Sequence, residues 1–232
     1  MALWILDAGH GGEDSGVVGR FKRKESDVTL SAVLEAKKHL ERNGEKVLLT
    51  RSSDDTLSIE ERIKSANENK GCFKSCFFVS FHMNSDIDKK TKGVEVHYFR
   101  DNEESIRLAK SIKDEILSGL HAEEIGVFEQ NSNEYADLEC NGVLVLGDFL
   151  SNEEVEVHFD EKKFGMQVAK ACLMMVNKVL LLDEPREPKK MQRKGWIVCI
   201  GYYKDYGKAV EALGELKKEG KKGAFIAPFD GR

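Results

Sequence analysis

LWILDAGHGG, residues 3–12, is the stretch that decides the fold of this chain. Its apolar half contains a β-branched residue and predicts a buried strand that ends at Gly9. Glycines on both sides of His10 let the backbone turn sharply where a Cβ atom would clash. The imidazole of His10 is therefore predicted to project from the carboxyl end of a strand, where open α/β sheets keep their functional sites.

Two further residues follow His10 at positions that suit a metal site. Glu25 comes after a polar, glycine-containing loop and just before a helix, and His82 follows the apolar strand 76–81. Zn²⁺ takes two imidazoles and a carboxylate as tetrahedral ligands, and hydrolytic sites leave the fourth position to water. We therefore predict a zinc site made of His10, Glu25 and His82. The alternative is a pair of incidental histidines and a solvated loop glutamate.

Strand and helix patterns alternate along residues 1–182. Strands are predicted at 46–50, 76–81, 93–99 and 142–146, helices at 27–43, 58–69, 103–120 and 160–182, and a surface loop at 126–140. Ser58 and Glu61 have the spacing of a capping box at the start of the second helix. The alternation predicts an α/β fold with a mixed, mostly parallel sheet flanked by helices.

The pattern changes after residue 182. Residues 183–194 carry Pro185 and Pro188 among charged residues, which is typical of a linker. Residues 195–232 predict a strand, a helix and a second strand, a small βαβ C-terminal appendage that is too short to bury a core comfortably. The sequence thus predicts a catalytic domain over 1–182, a linker over 183–194 and an appendage over 195–232.

Composition excludes several classes of function. Of the 232 residues, 41% are hydrophobic and 33% are charged, as in a globular protein. The net charge of −5 argues against a nucleic-acid partner, and no stretch approaches the roughly 18 apolar residues of a membrane span. The first strand begins at Ala2, so we expect no signal peptide and synthesis in the cytoplasm. The five cysteines lack paired metal spacing and are expected as reduced, mostly buried thiols without a disulfide.

Four segments resemble the motifs of one enzyme family, the zinc-dependent N-acetylmuramoyl-L-alanine amidases known as Amidase_3. They are DAGHGG at 7–12, KESD at 24–27, the segment from Thr50-Arg51 to Ala66-Asn67, and SFHMNS at 80–85 with GVE at 93–95. The resemblance covers about residues 2–182. It implies Zn²⁺ as the cofactor, His10, Glu25 and His82 as its ligands, and peptidoglycan as the substrate. The reaction that it implies is hydrolysis of the amide between N-acetylmuramic acid and the L-alanine of the stem peptide.

One position departs from the pattern of that family. The family usually carries a catalytic glutamate at the end of a late strand, in a segment that ends in Phe-x-Ser-Asn. Alignment on residues 149–152 puts Leu146 at that position, and a leucine side chain cannot transfer a proton. Asp148, two residues further along the strand, and Glu139, in the loop before the strand, are the candidates for the general base. Without either of them, catalysis rests on the metal alone or the chain binds cell wall without cutting it.

The appendage resembles one half of a SPOR-type or CwlC-type wall-binding repeat. The resemblance is carried mainly by WIVCIGYY at 196–203 and AFI at 224–226. It implies binding to peptidoglycan. Because such folds carry two halves, it also implies a homodimer through the C-terminal unit. The alternatives are that the aromatic side chains only build the core of the unit, or that the appendage docks on its own catalytic domain.

Three functions are compatible with these patterns. The first is a zinc-dependent peptidoglycan amidase, either a phage endolysin or a sporulation amidase, which acts on the cell wall after host lysis or mother-cell lysis. The second is a degenerate amidase fold that binds cell wall, as Leu146 suggests. The third is a zinc peptidase that acts on free muropeptides. The order and context of the three metal-ligand motifs favour the first.

Overall fold

The computed structural model describes residues 2–176, apart from residues 72, 74, 100, 101, 131 and 132, and also Lys218. The chain divides into two compact units, Met1–Asp183 and Glu184–Arg232. The predictions for the linker, for the βαβ appendage and for residues 177–182 lie outside the described residues and stay predictions. Among the helices that are described, none is long and apolar enough to cross a membrane.

One six-stranded sheet organises the described residues. Its strands are β1 (Leu3–Ala8), β2 (Lys46–Leu49), β3 (Cys76–Asn84), β4 (Val94–Tyr98), β5 (Glu124–Glu129) and β6 (Asn141–Phe149), in the spatial order β2-β1-β3-β6-β4-β5. The neighbours from β2 to β6 are parallel, β4 is antiparallel to β6, and β5 is parallel to β4. The predicted α/β fold with a mixed, mostly parallel sheet is confirmed.

Helices cover both faces of this sheet. They are α1 (Glu25–Arg42), α2 (Ile59–Lys70), α3 (Glu103–Leu120), α4 (Glu153–His158) and α5 (Glu161–Met175), with a 3₁₀ turn at Asn133–Tyr135. Helix α2 begins at the predicted capping box. The backbone N–H of Glu61 donates to Oγ of Ser58 at 3.2 Å, and the backbone N–H of Ser58 donates to Oε2 of Glu61 at 2.8 Å. These reciprocal bonds satisfy two backbone donors that would otherwise lack partners at a helix start.

Two hydrophobic clusters hold the helices on the sheet. On one face, α1, α3 and α5 pack over a cluster that includes Trp4 and Phe77, whose rings stack with centroids 4.7 Å apart. On the other face, α2 and the 3₁₀ turn pack over Ile5 and Phe78. Because side chains alternate along a strand, His82 lies on the same face as Phe78, four residues further along β3. His82 is only partly buried there, so this face is accessible toward the carboxyl end of β3.

Several boundaries differ from the sequence expectations. Strand β3 runs on through Asn84, so His82 lies inside the strand and not after it. Strand β6 runs on to Phe149, and the short helix α4 was not expected. Strand β5 and the 3₁₀ turn occupy parts of the segment 126–140, which was expected to be a loop. β5 lies at the edge of the sheet with mostly exposed residues, so its sequence lacks the alternation that marks a half-buried strand.

The expectation that all cysteines are free thiols is wrong. Cys76 and Cys140 form a disulfide, with their Cα atoms 5.2 Å apart. Cys76 opens β3 and Cys140 directly precedes β6, and these two strands are neighbours in the sheet. The pairing of β3 with β6 brings Cys76 and Cys140 together although they are far apart in the sequence. The spacing of the cysteines in the sequence does not reveal this pairing. Cys172 is a free, buried thiol, and burial raises its pKa well above the usual range.

Candidate metal centre

Three side chains from separate parts of the chain meet near the carboxyl ends of the neighbouring strands β1 and β3. The possible ligand atoms of His10, Glu25 and His82 all lie within 4.8 Å of one another. Oε1 of Glu25 is 3.2 Å from Nε2 of His10 and 3.0 Å from Nδ1 of His82. Within the part of the chain that the structure describes, no other group of three such residues comes together in this way. The structure therefore brings together all three of the predicted metal ligands.

Glycines make the close approach of these side chains possible. His10 follows β1 and adopts a left-handed backbone conformation, with φ of 61°. A Cβ atom on Gly9 would lie 2.3 Å from the ring of His82. A Cβ atom on Gly16 would lie 2.6 Å from the ring of His10 and 2.7 Å from a carboxylate oxygen of Glu25. Any larger residue at these two positions would push the ligands apart.

Glu25 is fixed as a buried carboxylate at the first residue of α1. Its side chain is only 2% exposed. Oε2 accepts a hydrogen bond from the backbone N–H of Val17 at 2.9 Å, and Oε1 accepts one from Met83 at 2.8 Å. Burial by itself raises the pKa of Glu25, but the hydrogen bonds and charges of His10 and His82 outweigh it and hold that pKa far below its usual range. The start of a helix also favours a negative charge.

Asp14 supports His10 from the side away from Glu25. Its Oδ2 lies 2.7 Å from Nδ1 of His10, while Nε2 of His10 faces the carboxylate of Glu25. Burial lowers the pKa of His10, but the two carboxylates outweigh this effect and raise it. A carboxylate that accepts the N–H of a ligand histidine orients the ring and increases its basicity. Sequence reasoning did not single out Asp14, although an acidic residue four positions after a candidate ligand is a usable signal.

Two buried arginines hold the turn that carries His10. Arg51 donates to the carbonyl oxygen of Gly9 at 3.0 Å, and Arg62 donates to the carbonyl oxygen of His10 at 2.9 Å. Arg62 also pairs with Oδ1 of Asp7 at 2.7 Å, where Asp7 is fully buried. Burial alone raises the pKa of Asp7, but the charge of Arg62 and hydrogen bonds from neighbouring side chains lower it overall. These contacts anchor the backbone beneath the metal centre.

The donor set of this centre fits Zn²⁺. Two imidazole nitrogens and one carboxylate oxygen are ligands that zinc prefers, and three protein ligands leave a fourth position open. Both histidines are partly exposed while Glu25 is buried, so the open side of the group faces solvent. Solvent therefore reaches the side of the group that the two histidines line.

The structure places Leu146 beside His82, because the two residues pair across β3 and β6. The pairing then shifts, so that Asn84 lies opposite Phe149 and β6 carries one extra residue. This bulge breaks the simple alternation by which Asp148 was expected to share a side with Leu146. Oδ1 of Asp148 accepts hydrogen bonds from two backbone N–H groups, of Gly93 and Phe149, both at 2.8 Å. Burial raises the pKa of Asp148 despite these bonds.

The structure does not bring Glu139 to the metal centre. Glu139 is exposed, and its carboxylate pairs with Lys70 at 3.2 Å. It precedes the first residue of β6, at the edge of the sheet where the parallel strands begin. The metal centre lies at the opposite edge, toward the carboxyl ends of β1 and β3. Glu139 and the predicted ligands therefore lie at opposite ends of the parallel strands.

Comparison with known protein sequences adds an independent observation. The chain matches the protein family described as N-acetylmuramoyl-L-alanine amidase over residues 5–178. It is 31% identical over 170 residues to the uncharacterized protein YqiI of Bacillus subtilis, which covers 72% of this chain and 80% of that protein. It is 32% identical over 129 residues to the germination-specific N-acetylmuramoyl-L-alanine amidase of the same species, over 50% of this chain and 52% of that protein. The chain thus spans about half the length of this second relative.

Solved structures show the same fold. The catalytic domain of CwlV, an N-acetylmuramoyl-L-alanine amidase from Bacillus (Paenibacillus) polymyxa, aligns with a TM-score of 0.69 and 27% identity, over 76% of this chain and 99% of that one. The CwlD amidase of Clostridioides difficile, solved with the GerS lipoprotein, aligns with a TM-score of 0.66 and 27% identity, over 75% of this chain and 98% of that one. In both cases nearly the whole of the solved chain is matched.

Proposed function

Because this chain belongs to the N-acetylmuramoyl-L-alanine amidase family, we propose that it is a zinc-dependent peptidoglycan hydrolase. The bond cut is the amide between N-acetylmuramic acid and the L-alanine of the stem peptide. The observation that carries the proposal is the convergence of His10, Glu25 and His82 within 4.8 Å at an accessible edge of the sheet. Their donor atoms match in kind and number those of hydrolytic zinc sites with one open position.

Each residue of the centre has a separate task in this reaction. When bound, Zn²⁺ activates water and stabilises the negative charge that develops on the amide carbonyl oxygen. Ring nitrogens of His10 and His82 and a carboxylate oxygen of Glu25 would hold the ion. Asp14 accepts the N–H of His10 and so directs the other ring nitrogen of His10 toward the metal position.

Digestion of purified cell wall tests this function directly. We expect the zinc-loaded protein to lower the turbidity of a wall suspension and to release peptides with L-alanine as their free amino terminus. A chelator should abolish this release, and added Zn²⁺ should restore it. Release that is unaffected by the chelator would contradict zinc dependence.

The same digestion separates the two other candidate functions. The alternative that Leu146 raises is a wall-binding protein without activity. Such a protein would sediment with the walls and release no peptide. A zinc peptidase acting on muropeptides would leave walls intact and cut bonds inside soluble stem peptides. Mass spectrometry of the soluble fraction distinguishes all three outcomes, because each predicts a different set of fragments.

The proposal also covers the role of the C-terminal residues and the place where the protein acts. We propose that residues 195–232 bind peptidoglycan as half of a SPOR-type or CwlC-type unit and pair two chains into a homodimer. The protein acts outside the cytoplasm, after release by host lysis or mother-cell lysis, as a phage endolysin or a sporulation amidase. The Cys76–Cys140 disulfide supports this placement, because such bonds persist mainly in oxidising surroundings.

A further inference from the structure

Glu95, on strand β4, lies in the same cross-strand row as Leu146, the position at which a catalytic glutamate was expected. His82 pairs with Leu146 across β3 and β6, and Leu146 pairs with Glu95 across β6 and β4. Residues directly opposite one another on neighbouring strands point to the same face of a sheet. His82, Leu146 and Glu95 therefore form one row across three strands, with the metal ligand at one end and a carboxylate at the other.

The side chain of Glu95 reaches across β6 to Asn84 on β3. Its Oε2 accepts a hydrogen bond from Nδ2 of Asn84 at 3.0 Å. Asn84 is on β3, two residues beyond His82 and on the same face. Because β6 lies between β4 and β3, this bond requires the Asn84 and Glu95 side chains to meet over β6. The Glu95 carboxylate thus reaches toward the space above Leu146.

The surroundings of Glu95 suit a group that exchanges a proton. Its side chain is 20% exposed, so water reaches it. Its Oε1 lies 2.7 Å from Nε2 of His97, which holds the carboxylate on the side away from Asn84. Among the described residues, no lysine or arginine forms an ion pair with Glu95. The Oδ1 atom of Asp148 accepts hydrogen bonds from the backbone of Gly93 and Phe149, outside the row of His82, Leu146 and Glu95. Glu139 lies where the parallel strands begin and pairs with Lys70.

We propose that Glu95 is the general base of this enzyme, taking over the task of the glutamate that Leu146 replaces. This inference rests on the amidase function proposed above. Glu95 accepts a proton from the attacking water while the water oxygen forms its bond to the amide carbonyl carbon. The carbon–nitrogen bond then breaks, and Glu95 passes the same proton to the nitrogen of L-alanine. The products are the carboxylic acid of the muramic acid lactyl group and a free amine, and Glu95 is again a carboxylate.

The substitution Glu95→Gln tests this role, because glutamine keeps the shape of the side chain and its acceptor for Asn84 but cannot take up the proton. We expect peptide release to fall by at least about 100-fold, as is common when a general base is lost. Zinc content by elemental analysis and the thermal unfolding midpoint should stay as in the original protein. Glu129→Gln, the same change at an exposed position of β5, is the matched control and should keep full activity.

A second variant returns a carboxylate to the row. In Glu95→Gln with Leu146→Glu, the new carboxylate lies on β6 directly beside His82, and we expect it to recover most of the lost rate. A double variant as slow as Glu95→Gln alone would overturn the proposal. So would Glu95→Gln with unchanged activity or with zinc lost, or a rate loss of this size in Asp148→Asn alone. If the Glu95→Gln variant stays active, Glu95 is not the general base, but the proposed amidase function still stands. If the original protein releases no peptide from cell walls, both the amidase function and the role of Glu95 are refuted.

Discussion

At the scale of single residues, the proposed zinc centre depends on three ligands and on the contacts that hold them. His82→Ala removes one of the three donors, and two protein ligands no longer make a hydrolytic zinc site. We expect far less than one zinc per chain by elemental analysis and no lysis of cell walls. His158→Ala, at an exposed histidine near the end of α4, should keep both. A full complement of zinc in His82→Ala would contradict the assignment.

Asp7 links this centre to the pH dependence of stability. Its folded-state pKa is lowered from the ordinary value of 3.8, because the charge of Arg62 and several hydrogen bonds outweigh the effect of burial. A carboxyl group with a depressed pKa stabilises the fold above its unfolded-state pKa, and this stabilisation is lost as the pH falls through the folded-state value. We therefore expect Asp7 to stabilise the protein at neutral pH and to stop doing so well below pH 3.8.

The variant Asp7→Asn measures that contribution. At pH 7 it leaves Arg62 buried without its charged partner, which should lower the free energy of unfolding by roughly 3–5 kcal/mol. Urea unfolding of both proteins between pH 7 and pH 3 should show the difference narrowing only at the acid end, in the range below about 3.8. A difference that stays constant down to the lowest pH would mean that the Asp7 charge is not its source.

The meeting of His10, Glu25 and His82 could be predicted from sequence, and the spacing of Asp14 offered a signal, but the place of Glu95 could not be predicted. His10, Glu25 and His82 each stand in a distinctive local context of glycines, a helix start or an apolar strand. Glu95 has no such context, because its relation to the site arises from the pairing of β4 with β6. Asp148 was predicted from regular alternation along a strand, and the bulge in the β3–β6 pairing removes the basis for that expectation.

At the scale of elements, the packing of α1 against α5 depends on a glycine. A Cβ atom on Gly165 would lie 2.1 Å from the carbonyl oxygen of Ala32, so the two helices touch backbone to backbone there. We expect Gly165→Ala to force the helices apart at a cost of about 3 kcal/mol. Alanine gains only about 1 kcal/mol over glycine in a helix, so the free energy of unfolding should fall by about 2 kcal/mol.

Urea unfolding of Gly165→Ala checks this packing contact. The control is Lys162→Ala, at an exposed position of the same helix, which should change the free energy of unfolding by less than about 0.5 kcal/mol. Equal stability of Gly165→Ala and the original protein would show that α1 and α5 can separate without loss of packing.

Elements with a regular hydrophobic period were predicted close to their observed bounds. The helix at 103–120 matches α3, and the capping box at Ser58 marks the start of α2. Strand β5 was missed because an exposed edge strand has no buried face to impose alternation on its sequence. The order of the strands was also beyond the sequence pattern, since β6 inserts between β3 and β4 through contacts that are distant along the chain.

At the scale of the whole molecule, we predict a dimer. This prediction depends on the C-terminal unit, which lies outside the described residues. A βαβ unit as short as the one predicted at 195–232 rarely folds alone, and a two-fold contact would supply its missing half. We expect the full-length protein to sediment as a dimer and a form that ends at Asp183 to sediment as a monomer. A full-length monomer at high concentration, with its tail protected from protease, would instead indicate docking on the catalytic domain.

The Cys76–Cys140 disulfide closes a loop of chain that contains β3, β4, α3, β5 and the 3₁₀ turn. A peptide bond broken inside this loop frees no fragment, because the two pieces stay covalently joined at the start of β3 and β6. A break after residue 84 also leaves His10, Glu25 and His82 together on the amino-terminal piece. Such a nicked molecule would run as one band on a gel without reductant and as two bands with it. The disulfide thus keeps the piece that carries the three predicted ligands attached to the rest of the sheet after such a cut.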